Sequence, residues 1–312
     1  MNIALVTPAR PRARSGNRHT ALRWAAFLRA AGHRVKIETE WSGGAADLML
    51  ALHARRSHAS IRRFAERYPE RPLVVALTGT DLYRDLPSSA DARESLELAD
   101  RLIVLQPKAI EALPVRHRRK VRVVVQSSST SLRHKPRLRR FRICVIGHLR
   151  EEKDPMRAHL ALECVPRELP VEIVHLGASL DPALAAQARA AMRREPRYRW
   201  LGSVPHARAL AWLASSHVLV VSSRMEGGAN VVSEALRMGV PVLASRIPGN
   251  VGLLGARYPG YFPLEDEKAL ARVMMRAVAD RAFYRKLRRA VAKLRRLVSP
   301  SREARVLLAG LR

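Results

Sequence analysis

The 312-residue chain has two cysteines, Cys144 and Cys164. None of its apolar runs approaches the roughly 20 residues that span a bilayer. Two cysteines cannot form a disulfide framework, and these two lack zinc-site spacing, so we expect a reducing compartment. Cys144 lies in an apolar segment, which predicts a buried core thiol. No signal peptide precedes the first predicted strand. We therefore expect a soluble, cytoplasmic protein without stable membrane insertion.

Several catalytic motifs are also missing. The chain contains no H-E-x-x-H, C-x-x-C, G-x-G-x-x-G, Walker or nucleophile-elbow sequence. It also lacks the Asp-x-Asp pair that holds a cation against a diphosphate in metal-dependent transferases. These absences predict a site with no metal and no organic cofactor.

Acidic residues are scarce, with 27 Asp and Glu against 57 Lys and Arg, for a net charge of +30. Such a field draws in anions, from nucleic acids to small phosphorylated substrates. The arginines are spread over nearly every predicted helix, and no RNA-recognition, zinc-finger or helix-turn-helix pattern occurs. We therefore expect no nucleic-acid partner, whereas an anionic small substrate would benefit from this charge.

The length and the hydrophobic content of 47% predict two domains of about 150 residues, each with its own core. Strands and helices alternate over residues 1–135, as in a doubly wound α/β sheet. A charged, proline-bearing stretch at residues 134–140 is the best linker candidate. A second alternating series follows over residues 140–297. The fold class is therefore α/β, with two Rossmann-like doubly wound domains.

One segment in the second half combines a buried strand with a glycine turn. The strand is Val218–Val221, and helical spacing of apolar residues begins after Asn230. Gly227 and Gly228 have no Cβ to keep a ligand from their backbone, and the following helix start offers free N–H groups. Glu226 and Glu234 flank this turn. Two carboxylates so placed can accept hydrogen bonds from the vicinal diols of sugars and riboses.

A second turn in the same half carries cations. The strand Phe141–Ile146 leads to Gly147, and Arg150 and Lys153 follow before the next helix. Fixed cations near a helix start suit a diphosphate, because its charge needs localised donors. This turn could therefore replace the missing metal.

The first half offers candidates for an anionic second substrate. The loop after the first strand holds Arg10, Arg14, Arg18 and His19, which either meet such a substrate or are simply solvated. The stretch from Thr78 to Asp85 ends a buried strand with small hydroxylated residues. There Thr80 could contact a polar ligand, and Thr80 or Asp81 could equally cap the next helix.

The segment from Glu226 to Glu234 resembles the donor-binding signature of retaining-type GT-B glycosyltransferases of the glycogen-synthase-like and sucrose-synthase-like group. The resemblance implies a GT-B fold, with two domains facing a central cleft and a last helix, about 298–312, that packs back on the first domain. It also implies that Glu226 binds the sugar, Glu234 the ribose, and Arg150 and Lys153 the donor phosphates. The implied donor-binding set is Gly16, Asn17, Gly147, Ser203, Val204, Glu226, Gly227, Gly228, Ala229, Asn230, Val231 and Glu234. The double glycine common in the family is missing at Gly16–Asn17.

Three segments, at 78–85, 147–155 and 226–230, together look like the bacterial selenosugar synthases of selenoneine biosynthesis. That resemblance implies transfer from UDP-N-acetylglucosamine or UDP-glucose to selenophosphate. Selenophosphate is already an anionic nucleophile, so no general base is required, and none is obvious in the sequence. The implied catalytic residues are Arg150, Lys153 and Glu226. The acceptor candidates are Arg10, Arg14, Arg18, His19, Thr80, Gln126, Ser127 and Ser128.

Two alternatives stay open. The predicted helical stretch from Glu267 to about Leu297 is basic and amphipathic, so it could pack on a domain or lie on an anionic membrane. In the second case the enzyme would act on a lipid-linked or saccharide hydroxyl. A protein that binds nucleotide sugars or nucleic acid without turnover is the other alternative. The anomeric outcome, the preferred sugar and the oligomeric state are left open.

Overall fold

The computed structural model describes residues 1–13, 15–136 and 139–311. Arg14, and residues 137 and 138 of the candidate linker, lie outside this part of the chain. The chain forms two compact units. The first comprises Met1–Gln126, Glu226–Ala229 and Pro300–Arg312, and the second comprises Ser127–Met225 and Asn230–Ser299. By this division residues 127–135 belong to the second unit, although the sequence pattern groups them with the first half.

The first unit is built on a six-stranded parallel sheet with the order β2-β1-β3-β4-β5-β6. β3 and β4 are buried along their whole length, as expected for strands covered on both faces. The strands are β1 (Asn2–Val6), β2 (Arg34–Glu38), β3 (Leu48–Leu52), β4 (Leu73–Leu77), β5 (Arg101–Val104) and β6 (Val121–Val123).

Helices cover both faces of this sheet. Successive residues of each strand point to opposite faces of the sheet, so they pack into two separate hydrophobic cores. One core is centred on Leu5, Leu50 and Trp24, and the other on Met49 and Phe64. The helices that come before the second unit are α1 (Gly16–Ala30), α2 (His58–Arg67), α3 (Leu86–Ser88) and α4 (Ala90–Leu98).

The start of α1 differs from the prediction, which placed it near Thr20. The helix begins at Gly16, because the Ser15 hydroxyl accepts a hydrogen bond from the backbone N–H of Arg18 at 3.4 Å and so caps an earlier turn. Gly16 and Asn17 therefore belong to the first helical turn and not to the preceding loop.

The second unit has its own six-stranded parallel sheet, in the order β12-β11-β10-β7-β8-β9. Two of its central strands, Phe141–Ile146 and Val218–Val221, were predicted from the sequence, and the structure confirms both. The strands are β7 (Phe141–Ile146), β8 (Val171–Leu176), β9 (Tyr198–Trp200), β10 (Val218–Val221), β11 (Val242–Ser245) and β12 (Tyr261–Phe262).

The stretch predicted as one basic helix after Glu267 is two helices. Asp280 adopts an extended backbone, and its carboxylate accepts the Phe283 N–H at 2.9 Å, which ends one helix and caps the next. The helices of this unit are α5 (Arg157–Glu163), α6 (Pro182–Arg194), α7 (His206–Ala214), α8 (Asn230–Met238), α9 (Pro248–Leu254), α10 (Glu267–Ala279) and α11 (Arg281–Leu294).

The last helix, α12 (Pro300–Gly310), belongs to the first unit and packs on α1. Its Glu303 is 1% exposed and binds two α1 side chains: Arg23 Nε at 2.9 Å and Trp24 Nε1 at 2.7 Å. A buried carboxylate is stable only when it is paired in this way, so the pair attaches α12 to α1.

The described residues contain no helix that is both long and apolar enough to cross a bilayer. Cys144 is buried, as predicted, and burial raises the pKa of its thiol to about 12, whereas Cys164 is exposed.

Candidate functional site

Each sheet has one point at which the strand order reverses. In the first unit it lies between β1 and β3, and in the second unit between β7 and β10. Open parallel sheets bind ligands in the crevice outside the carboxyl ends of the strands at such a point. The loops after these four strands are therefore where a site is expected, and they hold most of the predicted residues.

The loop after β7 carries the predicted cations of the second unit. Glu151–Lys153 forms a short 3₁₀ turn, and Asp154 ends it in the left-handed conformation (φ 43°). The aliphatic stem of Lys153 lies beside Gly147, with its Cγ 3.7 Å from where a Cβ on that glycine would be. The Arg150 side chain is 41% exposed, with its Nε 4.0 Å from Glu152 Oε2.

The loops after β7 and β10 are joined to each other. The Ser222 hydroxyl donates to the Asp154 carbonyl at 2.8 Å, and the Arg224 N–H donates to the Glu152 carbonyl at 2.9 Å. The Arg224 guanidinium also pairs with Glu151 at 2.8 Å. Because backbone groups are held on both sides, the Lys153 turn has a defined position relative to the loop after β10.

Gly147 packs on a buried group of residues, here called the shelf, that consists of His175, Gly177 and Tyr198. None of these residues was predicted to support the site. His175, on β8, contacts the Gly147 carbonyl through Nε2 at 3.1 Å and the Tyr198 hydroxyl through Nδ1 at 2.9 Å. Burial lowers the pKa of His175 to about 4, so the ring is neutral at pH 7. Gly177 packs so closely on Gly147 that a Cβ there would lie 1.9 Å from the Gly147 oxygen. Only the tertiary pairing of β7 with β8 reveals this shelf.

Glu234 lies in α8, about one turn after Asn230. Its carboxylate is 13% exposed and pairs with the His206 imidazole at 2.7 Å. His206 begins α7 and directly follows the loop that contains Ser203 and Val204. The predicted ribose carboxylate is therefore linked to the loop that holds two other predicted donor-binding residues, Ser203 and Val204. His206 was not predicted, because nothing in its local sequence links it to a helix 28 residues later.

The residues Glu226–Ala229 belong to the first unit, although their chain neighbours on either side belong to the second. A Cβ on Gly79 would lie 2.6 Å from the Gly227 nitrogen, and one on Gly227 would lie 2.4 Å from the Thr78 carbonyl. A Cβ on Gly228 would lie 2.6 Å from the side-chain Cβ of Leu105. Close packing alone therefore accounts for these glycines, by backbone at Gly79 and Gly227 and by a side chain at Gly228, and their role in donor binding stays a prediction.

The predicted acceptor residues after β1 have different environments. Arg10 is exposed, whereas Arg18 and His19, in the first turn of α1, are partly buried. Gln126 is 2% exposed, and its amide nitrogen donates to the Thr20 hydroxyl within the same unit. Arg14 lies outside the described residues. Ser127 and Ser128 are buried and belong to the second unit.

Thr80 and Asp81 do not cap a helix, contrary to one of the two predicted alternatives. Residues Asp81–Asp85 form a π-helical turn, and Thr80 makes no capping bond. The Asp81 carboxylate instead accepts backbone N–H groups from Thr78, Gly79 and Ala54 at 2.8–3.0 Å, which joins the loops after β3 and β4. The Thr80 hydroxyl lies 3.1 Å from Nε2 of His53, a residue that the prediction did not include.

The predicted residues thus divide between the two units. The first unit holds the acceptor candidates up to Gln126 and the glycine turn with Glu226, and the second holds the cations and the ribose carboxylate. The second unit holds the predicted catalytic residues Arg150 and Lys153, and its members of the donor-binding set are Gly147, Ser203, Val204, Asn230, Val231 and Glu234. Within the described ranges, no group of three or more His, Cys, Asp or Glu side chains could hold a metal ion.

Residues 140–280 match the family model described as "Glycosyl transferases group 1". This stretch is slightly less than half of the chain and covers most of the second unit. No curated protein matches the sequence.

Solved structures resemble the chain over almost its whole length. Sucrose-phosphate synthase from Thermosynechococcus elongatus is 17% identical, with a TM-score of 0.78 over 99% of this chain and 97% of that one. HepE from Anabaena, solved with UDP and glucose, is 15% identical, with a TM-score of 0.78 over 100% and 99%. The catalytic domain of starch synthase IV from Arabidopsis thaliana, bound to ADP and acarbose, is 11% identical, with a TM-score of 0.70 over 99% of each chain.

The two parallel sheets and these likenesses define the fold as GT-B, with two Rossmann-like domains, as predicted. At such low identities the likeness establishes the fold alone.

Proposed function

We propose that the protein is a glycosyltransferase that takes its sugar from a UDP-sugar. The observation that carries this proposal is the pair of joined loops at the switch point of the second unit. One presents Arg150 and Lys153, and the other leads to α8 with Glu234. The match to the glycosyl transferases group 1 model covers this same stretch, which supports the assignment.

The donor contacts follow from the chemistry of these groups. Lys153 and Arg150 would bind the diphosphate and stabilise it as it leaves, because cations held by a folded loop act where the charge develops. The Glu234 carboxylate would accept hydrogen bonds from the ribose hydroxyls, and Glu226 would orient the sugar. HepE has been solved with UDP and with UDP-glucose, which supports a uridine nucleotide in this fold. Starch synthase IV was solved with ADP, so the base is a point to test.

We propose selenophosphate as the acceptor. The proposal rests on the resemblance of segments 78–85, 147–155 and 226–230 to selenosugar synthases, and on the net charge of +30, which favours an anionic acceptor. Selenium would attack the anomeric carbon and form the C–Se bond, while the C–O bond breaks and its electron pair leaves with UDP. Water would then cleave the Se–P bond, which releases phosphate and a selenosugar. No proton has to be removed before the attack, so no general base is needed.

The decisive experiment is UDP release. The purified protein is incubated with selenophosphate and either UDP-N-acetylglucosamine or UDP-glucose. The released UDP and phosphate are then quantified, and the mass of the sugar product is determined by mass spectrometry. Stoichiometric UDP and phosphate with a selenium-bearing sugar support the proposal. ADP-glucose in place of the UDP-sugars tests the base.

Two other outcomes would contradict the proposal at different levels. UDP release with a lipid-linked or saccharide acceptor, but not with selenophosphate, would keep the glycosyltransferase and reject the acceptor. No UDP release with any acceptor, in a protein that still binds UDP, would indicate a nucleotide-sugar-binding protein without turnover. A Lys153→Ala variant serves as the control, because it should lose turnover and keep its fold.

A further inference from the structure

The carboxyl ends of β3 and β4 gather several unusual backbone conformations. His53, directly after β3, is a non-glycine residue with a φ of 77°, and Gly79, after β4, has a φ of 127°. After Thr80, the five residues Asp81–Asp85 form a π-helical turn. Such conformations cost free energy and persist where the surrounding structure holds them, often at functional sites. Here they place His53 at the β1/β3 switch point of the first unit.

The hydrogen bonds of His53 determine which ring nitrogen carries the proton. Nδ1 accepts the backbone N–H of Arg56 at 3.2 Å, so its lone pair is in use. The neutral ring must therefore carry its proton on Nε2. That nitrogen lies 3.1 Å from the Thr80 hydroxyl oxygen and 3.8 Å from Asp85 Oδ2, which makes Thr80 the nearer acceptor.

Burial, more than the surrounding charges, keeps the ring neutral. Burial lowers the pKa of His53, and Arg56 and Arg55 add to that effect, although Asp81 and Asp85 oppose it. Burial alone would raise the pKa of Asp85, but hydrogen bonds from Arg55 and Arg84 hold it below its usual value. The Asp85 carboxylate is therefore ionised and forms an ion pair with Arg55, whose Nε lies 2.7 Å from Asp85 Oδ2.

A hydroxyl has a single proton to give. Because the Thr80 oxygen accepts from His53, the proton of Thr80 points away from the ring, and the Thr80 side chain is partly exposed. We propose that His53 is a positioning residue that fixes the Thr80 hydroxyl as a hydrogen-bond donor to a phosphate-type oxygen of the acceptor substrate. This inference rests on the proposed function and deepens it, since it assigns a chemical class to the ligand of the first unit.

The direction of this bond favours an anionic acceptor. An unprotonated oxygen of phosphate or selenophosphate accepts hydrogen bonds and has none to give, so it matches the proton that the Thr80 hydroxyl directs away from His53, although the Thr80 oxygen keeps one further lone pair. A sugar hydroxyl would have to use its own lone pair and place its proton elsewhere. A donor of fixed direction also needs no reorientation when the ligand arrives, which lowers the entropic cost of binding.

The test uses paired variants. Thr80→Val removes the hydroxyl at nearly constant shape, and Thr80→Ser retains it. His53→Asn tolerates the left-handed backbone but is too short to reach Thr80, and His53→Gln keeps an N–H near the position of Nε2. We expect Thr80→Val to raise the KM for selenophosphate by about 10- to 100-fold, as for a lost hydrogen bond to a charged group. We expect His53→Asn to raise it by about tenfold, with recovery in His53→Gln and Thr80→Ser.

The pairing of the two residues is tested by a double-mutant cycle. If His53 acts through the Thr80 hydroxyl, His53→Asn should add less than about twofold to the KM in the Thr80→Val background. An unchanged Kd for UDP in all variants, with thermal unfolding measured in parallel, separates this effect from donor binding and from loss of fold. Full additivity in the cycle, or an unchanged KM in Thr80→Val, would overturn the inference.

Failure of the proposed function is recognised separately. If the wild-type protein releases no UDP with selenophosphate, the acceptor assignment fails, and the same variants are compared by calorimetric titration with inorganic phosphate and thiophosphate. Weaker anion binding in Thr80→Val and His53→Asn would retain the inference. No measurable anion binding by the wild type, or equal binding by the variants, would refute it.

Discussion

The prediction that bears most directly on the donor site concerns Glu234. We expect Glu234→Ala to weaken UDP binding because the ribose hydroxyls would lose their carboxylate acceptor. The side chain of Glu234 is only 13% exposed, so water competes weakly for its oxygens. One hydrogen bond to a charged group contributes about 1.5–3 kcal/mol, which corresponds to roughly a ten- to hundredfold rise in Kd.

The same substitution should hardly change stability. The partner of Glu234 is His206, whose side chain is 49% exposed, and an ion pair of that kind contributes no more than about 1 kcal/mol. We therefore expect nearly the same thermal midpoint with a much higher Kd. Glu234→Gln, which keeps an acceptor oxygen without the charge, should show roughly a three- to tenfold rise.

Isothermal titration with UDP and with UMP makes the assignment specific. A ribose contact is common to both nucleotides, so Glu234→Ala should weaken both by the same factor. Lys153→Ala should weaken UDP more than UMP, because it acts on the diphosphate. Glu163, which pairs with His159 at 3.4 Å on α5, supplies a matched control. Glu163→Ala also breaks a Glu–His pair but should leave both affinities unchanged.

Two results would refute this reasoning. A Kd for UDP within twofold of the wild-type value in folded Glu234→Ala would remove the ribose contact. A loss confined to UDP, with UMP binding unchanged, would place Glu234 near the phosphates instead of the ribose.

Three further predictions concern the body of the protein. Cys164 is exposed and Cys144 is buried with a pKa of about 12, so a thiol reagent at pH 7.5 should modify one thiol per native chain and two in denaturant. Gly177→Ala should lower the free energy of unfolding by about 1–3 kcal/mol, because its Cβ would meet the Gly147 carbonyl at 1.9 Å and backbone cannot easily yield. His175 has a pKa of about 4 in the folded protein and about 6.5 in the unfolded chain. Between these values only the unfolded chain takes up the proton, so the free energy of unfolding should fall as the pH drops below about 6.5. Denaturant unfolding should show a loss of about 2 kcal/mol at pH 5.

Each of these has a control and a contradicting outcome. Modification of two thiols in the native state would show that the β7 core opens. Gly44→Ala, where the added Cβ meets only Ser42 Oγ at 3.8 Å, should not change stability, and equal effects at both glycines would argue against the close contact. His175→Gln should reduce the fall in stability between pH 7.5 and 5, and an unchanged pH dependence would assign that fall to other groups.

Local patterns in the sequence were sufficient for most of the architecture. Phe141–Ile146 and Val218–Val221 are strands with the predicted bounds. Short, mainly apolar runs of this length pack between two helical layers, so the composition and the length of the run specify the element. Two element ends differ from the prediction, because the Ser15 and Asp280 caps each depend on a single hydrogen bond.

Within the candidate site, the sequence by itself determined which loops follow which strands, and thus where a ligand-binding edge would be. The tertiary structure decided which side chains meet there. His53 and Thr80, His206 and Glu234, and His175 and Gly147 are 27 to 28 residues apart, and no local pattern connects them. Gly79 meets Gly227, and Trp24 meets Glu303, across far longer separations. Periodicity reports the face that a residue buries, whereas a contact between distant loops depends on strand order and register, which exist only once the sheet has formed.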